Sequence, residues 1–146
     1  MDLTVRTQEG KLNLRVAAWI TDENKILVST FPDGNMSLPG GRIKFGETTL
    51  EAVKREILEE TGEKLLNPVL YAVIENFYER DDEIHELLFI FKGKIKLKET
   101  YSGIEENNEL ISWIEKKQVR KLKPEVLSRL IHDSKKIGHY INVENT

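Results

Sequence analysis

The run from Gly40 to Gly62 constrains the fold most, because it packs a chain break, a helix start and a helix stop into one short stretch. Leu38-Pro39-Gly40-Gly41-Arg42 cannot stay regular for long, since proline lacks an amide donor and paired glycines free the backbone. Thr48 followed by Glu51 has the spacing of a capping box, in which each side chain satisfies an otherwise free amide of the first turn. Leu50, Val53 and Ile57 recur at three and four residues and predict a buried stripe. Gly62 stands where a left-handed cap would end the helix.

Strands are expected on either side. Leu12 to Ile20 reads as a strand whose second half is apolar on both faces, and a turn at Asp22-Glu23-Asn24 leads into a second, Ile26 to Phe31. Pro32-Asp33-Gly34-Asn35 breaks the chain, with Asp-Gly suited to a tight turn. Val69 to Tyr78 is β-branched and aromatic, and a polar loop at Arg80-Asp81-Asp82-Glu83 separates it from Leu87 to Phe91. Lys92, Lys94, Lys96 and Lys98 alternate around Ile95 and Leu97, as on the wet face of an edge strand that lysine protects from unwanted pairing. Glu105 to Glu109 is loop-like, Leu110 to Ile114 is a short strand, and Pro124 opens a final helix carrying Val126, Leu127, Leu130 and Ile131. Asn142 to Thr146 is expected to fray. The order predicts one domain over residues 1–146, an α/β sandwich with a single mixed sheet.

Composition narrows the function. With 39% hydrophobic and 32% charged residues the chain is of ordinary globular type, and a net charge of -3 gives no reason to expect general nucleic-acid binding. Zero cysteines exclude disulfides, thiolate chemistry and Cys-based metal centres. The amino terminus lacks the apolar stretch of a signal peptide, and the longest apolar run, Val16 to Ile20, is far short of a bilayer span. A cytoplasmic protein with no membrane partner is the expectation.

Glu56, Glu59 and Glu60 share one helix face: at about 100° per residue, Glu60 lies about 40° from Glu56 and Glu59 about 60° away on the other side. They sit in the second half of the helix, where the dipole disfavours anions and like charges repel. A hard divalent cation would resolve that tension, since Mg²⁺ takes carboxylate oxygens together with substrate phosphates. The plain alternative is a solvated acidic face with partners such as Arg55 for Glu59, and spacing alone favours it.

The surrounding residues change that balance. Gly41, Glu47, Arg55, Glu56, Ile57, Glu59, Glu60 and Gly62 occupy every fixed position from the first glycine to the last of a pattern that closely resembles the signature of the Nudix hydrolases. Leu38-Pro39-Gly40 is similar to the usual approach to that box. One position departs: Glu63 stands where an aliphatic residue is expected, which puts packing at the helix exit in question. The resemblance implies an α/β/α sandwich with a central mixed sheet, and hydrolysis of a nucleoside diphosphate derivative with Mg²⁺ or Mn²⁺. It implies Glu56, Glu59 and Glu60 as metal ligands, Arg55 as their brace and Glu47 as support for the loop–helix junction. Gly41 would allow a backbone bend where a side chain would crowd the metals.

In the implied reaction, cations neutralise phosphate charge and orient a water that attacks phosphorus, while a carboxylate takes its proton. Glu59 or Glu60 could be that base. The family may instead supply it from a later loop, which makes Glu106 the candidate, with Glu105, Glu109 and Glu99 as rivals. Arg15, Gly40, Gly41 and His85 are the candidates for contacting substrate, although an ordinary sheet-surface role suits Arg15 as well. Phe77 and Tyr78 could stack on a base or belong to the core. His132 and His139 have no paired ligands in sequence, and Gly40-Gly41 is not a P-loop because no Gly-Lys-Ser/Thr follows. A nucleoside triphosphate is the most natural substrate; the other reading is a catalytically silent nucleotide-sensing module. The oligomeric state stays open, a homodimer included.

Overall fold

The computed structural model describes residues 1–102, 109–131 and 136–144. Its axis is β2 (Lys11–Asp22), which has partners on several sides. β1 (Thr4–Arg6) and β5 (Gly40–Arg42) pair with it antiparallel, as does the start of β3 (Lys25–Thr30), while β7 (Asp82–Lys94) runs parallel to it. Val16 to Ile20 are all buried, so this uninterrupted apolar run is covered on both faces.

β4 (Met36–Ser37) and β8 (Leu110–Glu115) extend the β3 side. On the other side β6 (Leu66–Arg80) pairs antiparallel with β7, and β9 (Gly138–Val143) pairs parallel with β6. The sheet is mixed, as expected. On one face α1 (Thr49–Thr61) packs Ala52, Val53 and Ile57 against Val16, Ala18, Ile20 and Phe91. On the other, 3-10 turns at Lys116–Lys121 and Glu125–Ile131, with Leu122 between them, pack Val119, Leu122, Val126, Leu127 and Leu130 against Ala17, Trp19, Ile74, Leu88 and Ile90. The result is an α/β/α sandwich. Among the described residues no helix is long and apolar enough to cross a membrane.

Several expectations are corrected. The segment after Pro124 is a 3-10 helix; the Tyr71 hydroxyl donates to the Leu130 carbonyl at 2.5 Å and ties its end to β6. Lys92 lies in a central strand, flanked in register by Trp19 and Val69, with its ammonium 5.1 Å from the Tyr71 ring centre. β7 stops at Lys94, so the alternation fails beyond it: Ile95 is buried and Leu97 exposed. The polar loop at residues 80–83 is a tight reversal at Asp81, whose φ is 67°, with Arg80 and Asp82 already paired. Asn142 and Val143 belong to β9, which supplies partners to backbone groups of β6. Leu50 is exposed, because the buried face of α1 runs through Ala52, Val53 and Ile57.

Candidate active site

α1 is fixed at both ends by local chemistry. The Glu51 amide donates to the Thr48 hydroxyl at 3.0 Å, and the Thr48 amide to the Glu51 carboxylate at 3.4 Å. Gly62, at φ 75°, closes the last turn onto the Leu58 carbonyl. With its apolar side on the sheet, the helix holds Glu56, Glu59 and Glu60 beside the strand β5 that carries Gly40 and Gly41.

Arg55 is the local counter-charge. Its Nε and Nη2 donate to the two oxygens of Glu47 at 2.6 and 2.9 Å. Nη1 donates to Glu56 at 2.8 Å and Glu59 at 3.2 Å, and Nη2 also reaches the Arg42 carbonyl at 3.0 Å. Glu47 further accepts from the Lys44 amide at 2.9 Å. These contacts, the Arg55 hydrogen bond foremost, lower the Glu47 pKa to about 2, while Arg55 is pushed above its ordinary value. Gly41 sits against Glu56: a Cβ there would meet both carboxylate oxygens at 2.5 Å.

Glu60 turns the other way. Its Oε2 accepts from the Gly40 amide at 3.1 Å, and the side chain is buried. Burial pushes its pKa up to about 9, helped by the charges of Glu109 and Glu56 and opposed by the Gly40 amide and Arg15. Glu109 precedes β8 and accepts from the Ser29 hydroxyl at 2.7 Å. Glu105 and Glu106 lie outside the described residues, as does His132; Glu99 is exposed.

A cation fits the donor chemistry better than the present rotamers. Among the described residues no three acidic or imidazole side chains converge closely enough to hold a metal ion. Glu56 and Glu59 face Arg55, and Glu60 faces Gly40. Yet the three carboxylates rise from one rigid helix, and burial favours the protonated form of Glu60 more than the Gly40 amide and the Arg15 charge oppose it. That is the donor set of a hard, oxygen-seeking cation.

Glu63, the departure from the signature, is accommodated by an ion pair with Lys98. The carbonyl of Lys98 accepts from the Trp113 indole at 3.3 Å. The helix exit is therefore held by charge where an aliphatic contact was expected.

Arg15 points to a second region. It lines a cavity of about 650 Å³ together with Phe31, Asn76, Tyr78, Glu86 and Pro124. Its guanidinium lies 3.8 Å from the buried Glu86 carboxylate. His85, the residue before Glu86 in β7, lines a separate groove and lies against Phe77 with ring centres 4.4 Å apart and planes tilted by 41°. The structure thus does not bring His85 to the helix carboxylates. His139 pairs with Glu75 at 2.8 Å. Asn76 and Glu86 escaped the sequence reading, although strand alternation puts them on the same faces as Ile74 and Leu88.

The NUDIX domain family model matches residues 11–133. The chain belongs to the NUDIX domain family. Over 100 residues, spanning 68% of this NUDIX chain and 71% of the relative, it is 32% identical to an 8-oxo-dGTP diphosphatase of Buchnera aphidicola subsp. Schizaphis graminum (strain Sg). A solved MutT mutator protein from Bacillus halodurans superposes with a TM-score of 0.66 at 23% identity, covering 88% of this NUDIX chain and 90% of that one. An ADP-ribose pyrophosphatase from Streptococcus suis gives 0.60 at 17% identity, covering 89% and 98%. Both structures share the fold.

Proposed function

We propose that this NUDIX domain is a cytoplasmic pyrophosphohydrolase that uses Mg²⁺, with Mn²⁺ able to substitute, and cleaves a nucleoside triphosphate or a related nucleotide. The observation that carries the reading is a helix, capped at both ends, that holds Glu56, Glu59 and Glu60 on one face beside Gly40 and Gly41. Family membership supports hydrolysis of a nucleotide pyrophosphate bond. The relative's name, 8-oxo-dGTP diphosphatase, supports a triphosphate among the candidate substrates.

Glu56, Glu59 and Glu60 would hold the cation, which would supply charge neutralisation to the phosphates. Arg55 acts through the carboxylates: it fixes Glu56 and Glu59 while Glu47 fixes it in turn. Water adds to phosphorus, the bridging P–O bond breaks with its electron pair passing to the leaving phosphate, and a carboxylate accepts the water's proton. Glu59 and Glu60 are the candidates for that base. Glu60, whose surroundings favour the protonated form, must give up that proton before it can hold the cation or accept a proton from water. Glu106 stays the candidate from the later loop, and Glu109 enters through its charge on Glu60.

The test is a product-resolved screen of nucleotide pyrophosphates with Mg²⁺ or Mn²⁺, run beside folded Glu59→Gln and Glu60→Gln proteins. Turnover that falls at least about 100-fold in either variant supports the site; undiminished turnover in both removes it.

A further inference from the structure

The floor of the 650 Å³ cavity is polar and incompletely paired. Glu86 is 2% exposed, yet among the described residues its carboxylate receives only long contacts: Asn76 Nδ2 at 3.4 Å, the Tyr78 hydroxyl at 3.3 Å and Arg15 Nη1 at 3.8 Å. Carboxylates with charge-assisted partners sit nearer about 2.7–2.9 Å from their donors. The neighbours are in the same condition. Asn13, paired in register with Glu86 and 4% exposed, has no hydrogen-bond partner for its Oδ1 among the described residues, and neither has the buried Nε of Arg15. Asn142 steadies the cluster from β9, donating to Asn76 at 2.8 Å.

Buried polar groups left this loose cost stability, and such costs are recovered when a ligand completes their hydrogen bonds. A carboxylate with two under-used oxygens calls for two adjacent N–H donors on one planar edge. The 2-amino-4-oxo edge of a guanine or a pterin presents them, a ring N–H beside an exocyclic amine. Adenine places a ring acceptor beside its amine, and hypoxanthine lacks the amine. Phe31 and Pro124 give the cavity apolar walls for a flat ring, and Ser37, which also lines it, lies three residues before Gly40, the contact of Glu60. Arg15 spans the interval, facing Glu86 while its charge bears on Glu60.

We propose that Glu86 is the specificity-determining residue of the site, selecting a 2-amino-4-oxo ring, with Asn76 and Tyr78 as its positioning residues. This rests on the hydrolase reading for the destination of the phosphates, but not for the recognition itself. The test is calorimetric titration, with Mg²⁺, of the non-hydrolysable α,β-methylene diphosphates of guanosine, inosine and adenosine, with neopterin as a fourth ligand. The guanosine analogue should bind at least about 10-fold tighter than the inosine and adenosine analogues, and Glu86→Gln should remove that gap. Guanosine itself titrated beside neopterin, both without phosphate, separates a guanine from a pterin source by which binds tighter. Equal affinity of wild type for the three nucleotide analogues overturns the proposal even if the variant fails to fold. Selective binding here with no turnover in the product-resolved screen of nucleotide pyrophosphates leaves it standing and removes the hydrolase reading; turnover in that screen without selective binding here does the reverse.

Discussion

The Arg55 guanidinium grips both oxygens of Glu47 from Nε and Nη2, at 2.6 and 2.9 Å, and so ties α1 to the loop before it. The remaining donors of the same group reach Glu56, Glu59 and the Arg42 carbonyl. One planar cation thus closes the junction and orders the acidic face. Arg55→Lys keeps the charge and loses the fork, so it should be nearly as damaging as Arg55→Ala. Both should lower unfolding stability by about 1–3 kcal/mol in urea titrations, and both should reduce turnover.

The same pair sets an acid limb. Glu47 has a folded-state pKa of about 2 against an ordinary 4.5. A lowered carboxylate pKa contributes stability that is present above the ordinary value and lost as pH falls through the folded one. Melting temperature measured from neutrality down to about pH 2 should therefore drop less steeply in Glu47→Gln than in wild type over this window. Identical acid profiles would separate Glu47 from the effect.

Glu60 has the opposite sign. Its folded-state pKa of about 9 exceeds the ordinary 4.5, so its contribution is intact below 4.5 and becomes a penalty as pH rises toward 9. In chelator, Glu60→Gln should equal or exceed wild-type stability at pH near 8, with the difference shrinking on acidification. Added Mg²⁺ should raise the wild-type melting temperature more at pH near 8 than near 6, because the cation displaces a proton, and should raise the variant less. A Mg²⁺ effect that ignores pH would argue against Glu60 as a ligand.

Three glycines in the chain predict three different outcomes. Gly41→Ala would press a methyl against the Glu56 carboxylate and should cut turnover more than stability. Gly40→Ala would strike the Val16 carbonyl in the sheet and should destabilise the fold. Gly34, at φ 89° with open space around it, should cost only about 1 kcal/mol of backbone strain on going to alanine. Parallel melting and rate measurements on the three variants distinguish these effects.

What could be read from the residues was what local chemistry settles. Thr48, Glu51 and Gly62 fix the ends of α1 through bonds to their own neighbours, and the spacing of Glu56, Glu59 and Glu60 follows from helix geometry alone. The apolar run Val16 to Ile20 likewise announced a strand covered on both sides. Tertiary structure decided the rest. Lys92 looks like an edge residue until β2 and β6 close around β7, and β9 exists only because β6 offers it an edge. Val126, Leu127 and Leu130 reach the core from a 3-10 helix, and spacings of three and four residues put apolar side chains on one face of either helix type, so the spacing could not choose. Glu86, Asn76 and Arg15 come from three different strands, and their meeting around one cavity depends on register, which no single segment encodes.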